Sequence, residues 1–161
     1  MIRGCTAADF SAILAIVNEA AEKYRGAIPA DCWHEPYMTE SELGAEIADG
    51  VNFWGWDEEG TLLGIMGIQS VRDVTLIRHA YVRPYHQGAG IGGALLTFLA
   101  KQATSSLLVG TWAAAAWAIG FYQRHGFRLV AAEEEKDRLL STYWSISPRQ
   151  KETSVVLVYA H

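Results

Sequence analysis

The sequence is poor in cysteine, with Cys5 and Cys32 the two examples in 161 residues, and neither sits in a metal-type spacing. A disulfide framework is not credible in a chain long enough to bury a full core, so two reduced, partly buried thiols are expected. Clusters of Lys and Arg are also absent, and 13 basic residues against 18 acidic ones give a formal charge of -5. Binding to phosphate backbones needs a concentrated basic surface, which argues against nucleic acid as a partner. No apolar run approaches a membrane span, and Met1-Ile2-Arg3-Gly4-Cys5-Thr6 lacks the apolar stretch of a signal peptide. The expectation is a cytoplasmic protein with no membrane partner. Low-complexity stretches, linkers and internal repeats are missing too, so residues 1–161 are read as a single domain. What remains, 50% hydrophobic and 19% charged residues, is an ordinary globular balance.

Periodicity then places the elements. Thr6-Ala7-Ala8-Asp9 resembles a capping box, and Phe10, Ile13, Leu14 and Val17 behind it repeat at helical spacing as far as Tyr24. Residues 25–38, with Gly26, Pro29 and Pro36, read as a loop. Thr39-Glu40-Ser41-Glu42 is a full capping box opening a short helix that Gly50 stops. Strands are expected at 51–56, 62–71 and 74–82, the first two joined through Asp57-Glu58-Glu59-Gly60. Ile91, Ala94, Leu95, Phe98, Leu99 and Ala103 mark a helix face. A strand at 107–111, a helix at 113–124 ended by Gly126, and strands at 127–132 and 153–159 complete the pattern, with a helical turn near 136–140. The order β-α-α-β-β-β-α-β-α-β-β predicts a mixed α/β sheet covered by helices.

Gly88, Gly90, Gly92 and Gly93 fall in the turn between a strand and the strong helix. Glycines let backbone approach a ligand closely, and the free amides at a helix start favour an anion, so this segment is expected to hold phosphate. The plainer reading, a tight turn without a ligand, needs fewer glycines. Gly88, Gly90 and Gly93 formally satisfy the dinucleotide pattern G-x-G-x-x-G, but no Asp or Glu occurs between Ala94 and Ala132 to take a ribose. The Gly-Lys-Ser/Thr ending of a P-loop is missing as well.

The segment Gln87-Gly88-Ala89-Gly90-Ile91-Gly92 resembles instead the acetyl-CoA pyrophosphate loop of the GNAT N-acetyltransferases, Gln/Arg-x-x-Gly-x-Gly/Ala, with Gln87, Gly90 and Gly92 at its fixed positions. A second stretch, from Trp117 through Phe121-Tyr122 to Gly126-Phe127, resembles the family's Ala-x-x-Phe-Tyr-x-x-x-Gly-Phe. The resemblance implies a mostly antiparallel sheet of six to seven strands with helices on both faces and a splay between the fourth and fifth strands. It implies direct attack of an amine on the acetyl-CoA thioester, without a metal. Backbone at Ala80, Tyr81 and Val82, amides from Gly88 through Ala89, Gly90, Ile91 and Gly92 to Gly93, and Phe121 and Tyr122 would bind the cofactor. Tyr122 would be the acid that protonates the leaving thiolate; the plainer reading is a packed helix tyrosine.

Two positions depart from the family pattern. Ala115 stands where an asparagine is common, and Leu76 where many members carry a glutamate base. His79 is the natural substitute as base. Strict alternation turns His79 away from the face of Arg78 and Val82, and a β-bulge would reverse that. The plainer reading is a packed or hydrogen-bonded histidine; Glu35, His34 and Asp73 are further candidates for the base, a water chain is another route, and the sequence leaves the base unassigned. In the family the acceptor pocket is built from the loop after the first helix and the loop between the last two strands, here about 25–38 and 141–152. Trp33, Glu35, Tyr37, Trp112 and Trp144 would then hold a small-molecule primary amine by cation–π contact and charge. These rings could equally pack the sheet ends or a homodimer contact. A protein lysine or N-terminal acetyltransferase and a non-catalytic acyl-CoA-binding regulator are the alternatives.

Overall fold

The computed structural model describes residues 1–160. Its elements run β1 (Ile2–Gly4), α1 (Phe10–Ala21), α2 (Glu40–Ala48), β2 (Asn52–Glu58), β3 (Thr61–Val71), β4 (Val74–Val82), α3 (Ile91–Gln102), β5 (Ser106–Trp112), α4 (Ala116–Arg124), β6 (Phe127–Leu129), α5 (Glu133–Tyr143), α6 (Pro148–Glu152) and β7 (Ser154–Tyr159), with short 3-10 turns between some of them. One seven-stranded sheet has the order β1-β2-β3-β4-β5-β7-β6. Every neighbouring pair is antiparallel except β4 and β5, which are parallel across the α3 crossover. This is the mixed α/β architecture anticipated above, with seven strands.

Alternation along the central strands decides which helix covers which face. Ile77 of β4, Leu107 and Val109 of β5 and Leu157 of β7 join Leu95, Leu96 and Leu99 of α3 in one core. Their neighbours Leu76, Leu108 and Val156 point the other way and meet Leu139 and Leu140 of α5. Ile13, Ile16 and Val17 of α1 and Leu43 of α2 cover the remaining part of that second face, against Phe53, Leu62 and Ile65. The period-2 strands and period-3.6 helices of the sequence therefore interlock as expected.

Several boundaries differ from the expectation: α4 starts at Ala116 rather than 113, and β2 runs on to Glu58. The helical turn near 136–140 is a full helix, α5, whose first turn carries Glu133, Glu134 and Glu135 at the positive end of the helix dipole. Within the region read as a loop, Ser147 accepts from the Gln150 amide at 3.1 Å and Pro148 takes the first position, which together start α6. β6 stops at Leu129, short of 132. The capping box at Thr39 is present, with the Glu42 amide donating to Thr39 Oγ1 at 3.1 Å and the Thr39 amide to Glu42 Oε1 at 3.2 Å.

Candidate active site

Strands β4 and β5 begin paired and then separate. Their contacts run from Val74 with Ser106 to Ile77 with Val109 and stop there. Beyond that point β5 stays with β7, from Gly110 with Val156 to Trp112 with Ser154, while β4 stays with β3. The parting coincides with a bulge: Arg78 pairs with Gly67 and Tyr81 with Ile65, so His79 and Ala80 together oppose Met66. His79 takes the extra place with φ 53°, in the left-handed region. A bulge bends and twists its strand, which opens the wedge. It also overrides simple alternation, so that Arg78 and His79 both reach Glu46 on α2.

At the far end of β4 the glycine segment curls into α3. Gly88 and Gly90 have φ of 86° and 81°, conformations that side chains with a Cβ rarely adopt, and Gly90 caps the helix. Gly92 and Gly93 serve a different purpose. A Cβ on Gly92 would lie 3.4 Å from the Phe121 ring, and one on Gly93 only 2.7 Å from His125 Nε2. These two let α4 pack against the start of α3, so half of the glycine count belongs to helix packing. Gln87 Nε2 donates to the Val82 carbonyl at 3.1 Å and pins the loop to the strand end.

Two cavities meet at the splay. The larger, about 430 Å³, runs along Val82, Gln87, Gly88 and Gly90 to Gly93 and is rimmed by Lys23, His86, Arg124 and His125. Free amides at a helix start and the positive charges of Lys23 and Arg124 are what a pyrophosphate requires, so these residues fit coenzyme A. The smaller, about 150 Å³, lies between β4 and β5 and is walled by Tyr37, Trp112 and Trp144. Tyr24, Ala80, Tyr81, Ala118 and Tyr122 line both. Tyr122 thus stands at the junction. Burial, with a smaller contribution from Tyr24, pushes its phenol well above the ordinary tyrosine range, so it stays protonated at neutral pH.

The sequence-derived acceptor residues separate into two groups. Tyr37 and Trp112 meet through a hydrogen bond from Trp112 Nε1 to Tyr37 Oη of 2.8 Å. Trp144 lies against Gly110, where a Cβ would be 3.2 Å from its ring. Trp33 and Glu35 lie behind this wall. Trp33 packs on Tyr37 with ring centroids 5.8 Å apart and carries the Arg25 guanidinium 4.8 Å from its ring centroid, while exposed Glu35 pairs with Arg25. Of the other base candidates, Asp73 accepts from Tyr143 Oη at 2.7 Å at the paired end of β4, and His34 Nδ1 contacts the Pro36 carbonyl at 2.8 Å. Leu76 is fully buried, and so is Ala115.

Sequence reasoning missed Tyr24 and Glu46. Tyr24 stacks on Trp117 with centroids 5.9 Å apart and its hydroxyl donates to Tyr81 Oη at 3.3 Å. Its position in the last turn after α1, next to a loop assigned to the acceptor, was an available signal. Glu46 had none, because it lies 33 positions before His79 in the sequence. Burial works against the Glu46 charge, but the contact with His79 and the charges of His79 and Arg78 outweigh it and hold the carboxyl below the usual range. Among the described residues, no three His, Cys, Asp or Glu side chains come together as a metal site, and no helix is long and apolar enough to cross a membrane.

The family model described as Acetyltransferase (GNAT) domain matches residues 49–129. The peptidyl-lysine N-acetyltransferase YiaC of Escherichia coli K12 is 29% identical over 145 residues, which cover 89% of this chain and 93% of that protein. Among solved structures, the PaiA N-acetyltransferase of Thermoplasma acidophilum in complex with coenzyme A superimposes with a TM-score of 0.72 at 16% identity, over 100% of this chain and 98% of the other. The ribosomal-protein-alanine N-acetyltransferase of Brucella melitensis gives 0.62 at 26% identity, over 81% and 86%.

Proposed function

The chain belongs to the GNAT acetyltransferases and is an acetyl-CoA-dependent N-acetyltransferase, and on that premise we propose that residues 1–161 act as one domain whose acceptor is a small primary amine. The observation that carries the choice of acceptor is the small cavity itself, about 150 Å³ and walled by Tyr37, Trp112 and Trp144. Aromatic walls attract an ammonium group by cation–π contact while excluding bulk.

Acetyl-CoA supplies the activated acyl group in this reading. The amides from Gly88 to Gly93 hold its pyrophosphate, and the β4 edge from Ala80 to Val82, left free by β5, takes the arm by backbone pairing. Tyr122 donates a proton to the departing sulfur. His79 accepts the proton that the acceptor ammonium must lose before attack.

A second reading has a specific observation behind it: YiaC, at 29% identity, is a peptidyl-lysine N-acetyltransferase, and a lysine side chain also ends in a primary amine. A thiol-release assay with a panel of free amines and with lysine-containing peptides separates the two. The small-amine reading requires the best free amine to exceed every peptide in kcat/KM; a peptide that exceeds all free amines overturns it.

A further inference from the structure

The bulge on β4 holds a strained residue beside two buried polar atoms. His79 is not a glycine, yet its φ is 53°, a conformation of a kind that persists where surrounding structure enforces it and that clusters at functional sites. Its ring is fixed by Phe53 of β2 and Tyr81, with centroids 6.2 and 6.4 Å away and planes within 26° and 27° of parallel. Nε2 lies 2.5 Å from Glu46 Oε2, and neither of these two buried atoms has another partner. The other carboxylate oxygen is committed elsewhere. Arg78 donates to Glu46 Oε1 at 2.6 Å and to Gln69 Oε1 at 2.8 Å, and Gln69 in turn donates to Asp49 Oδ2 at 3.1 Å. Glu46 is thereby held on α2 with a single oxygen left for the imidazole.

The opposite side of the ring differs. Nδ1 has no partner among the described residues and is not among the sealed polar atoms, and His79 lines the acceptor cavity at the splay. A carboxylate that fixes one imidazole nitrogen as the N–H bearer leaves the other with its lone pair, and it stabilises the imidazolium that forms when that lone pair takes a proton.

We propose that Glu46 is the positioning residue of the reaction's base, holding His79 with Nε2 protonated so that Nδ1 receives the proton of the acceptor amine. This rests on the reading of His79 as base given above. The ammonium gives one proton to Nδ1, and the neutral nitrogen then forms the C–N bond to the acyl carbon as the C–S bond breaks. The sulfur leaves with the electron pair and takes the proton of Tyr122, which the second proton on the acylated nitrogen replaces. His79 releases its proton to solvent. Glu46 exchanges no proton and touches no substrate.

The charged or titratable groups facing His79 are Glu46 from α2 and Arg78 and Tyr81 from β4, with uncharged Phe53 from β2. In Glu46→Gln the carboxylate beside Nε2 is gone, so the ring loses the contact that fixes its orientation and tautomer, and kcat for the amine falls. The fall should be about tenfold or more, with acetyl-CoA affinity unchanged. His79→Ala should lose at least as much, and adding Glu46→Gln to it should cost nothing further. Full turnover in Glu46→Gln, or additive losses in the double variant, overturns the role of Glu46. Full turnover in His79→Ala overturns the reading of the base instead, which keeps the two failures apart. Nitrogen NMR of the wild-type protein gives an answer that does not depend on variants folding or on turnover: the proposal requires the Nε2–H form of neutral His79, and an Nδ1–H form overturns it.

Discussion

Ile77 and Val109 are the last residues that pair across β4 and β5, and Arg78, the next residue of β4, pairs with β3 alone. The two cavities meet in the wedge that opens beyond this pair. Its consequences can be tested one residue at a time.

Gly90 has φ 81° at the start of α3, where a β-branched residue is strongly disfavoured although no atom stands within 4 Å of the place its Cβ would take. Gly90→Val should therefore distort the loop rather than the core, at a cost on the order of 1–3 kcal/mol. Calorimetry should show acetyl-CoA binding abolished in a folded protein. Normal affinity would remove the loop from the cofactor site.

Gly93 should behave differently. A Cβ there meets His125 Nε2 at 2.7 Å, and the ring cannot easily yield because Nδ1 contacts the Phe121 carbonyl at 2.8 Å. Gly93→Ala is expected to lower stability by about 1–3 kcal/mol in a denaturant titration. Adding His125→Ala should recover much of that loss.

Tyr122→Phe removes the hydroxyl at the junction of the cavities and keeps the ring in its core. The expected loss in kcat is about 100-fold, with acetyl-CoA affinity retained. The phenol is raised by burial, and an acid must be protonated to work, so wild-type activity should show no fall from tyrosine ionisation below about pH 10. Unchanged turnover in Tyr122→Phe would remove it as the acid.

Acid stability should depend on Asp9. Its hydrogen bonds from Arg3, at 2.9 Å to each oxygen, and one from the Thr6 amide lower its pKa from 3.8 to about 2. The depressed folded value means that its stabilisation is complete above about pH 4 and is lost as pH falls toward 2. Denaturation midpoints measured between pH 5 and 2 should fall less steeply in Asp9→Asn than in the wild type.

Much of the fold was legible because its signals are local. The Thr39 capping box, the helix face from Ile91 to Ala103 and the turn at Glu59-Gly60, with φ of 52° and 88°, each lie within a few residues. Their geometry depends on the chain immediately around them. The second half of the chain was less legible. Only Leu139 and Leu140 mark the core side of α5 strongly, and the start of α6 rests on a cap and a proline.

The sequence by itself determined the order of the strands and of the first four helices, the glycine turn ahead of α3 and the Phe121-Tyr122 motif, since periodicity, φ preference and motif spacing are properties of short segments. Tertiary structure alone decided what the glycines are for, dividing Gly88 and Gly90 from Gly92 and Gly93 by what packs against them. It also decided which way His79 faces, because a one-residue bulge reverses alternation without changing composition. The pairing of His79 with Glu46 arises only when Glu46 of α2 meets β4, a contact between distant segments that no local pattern encodes.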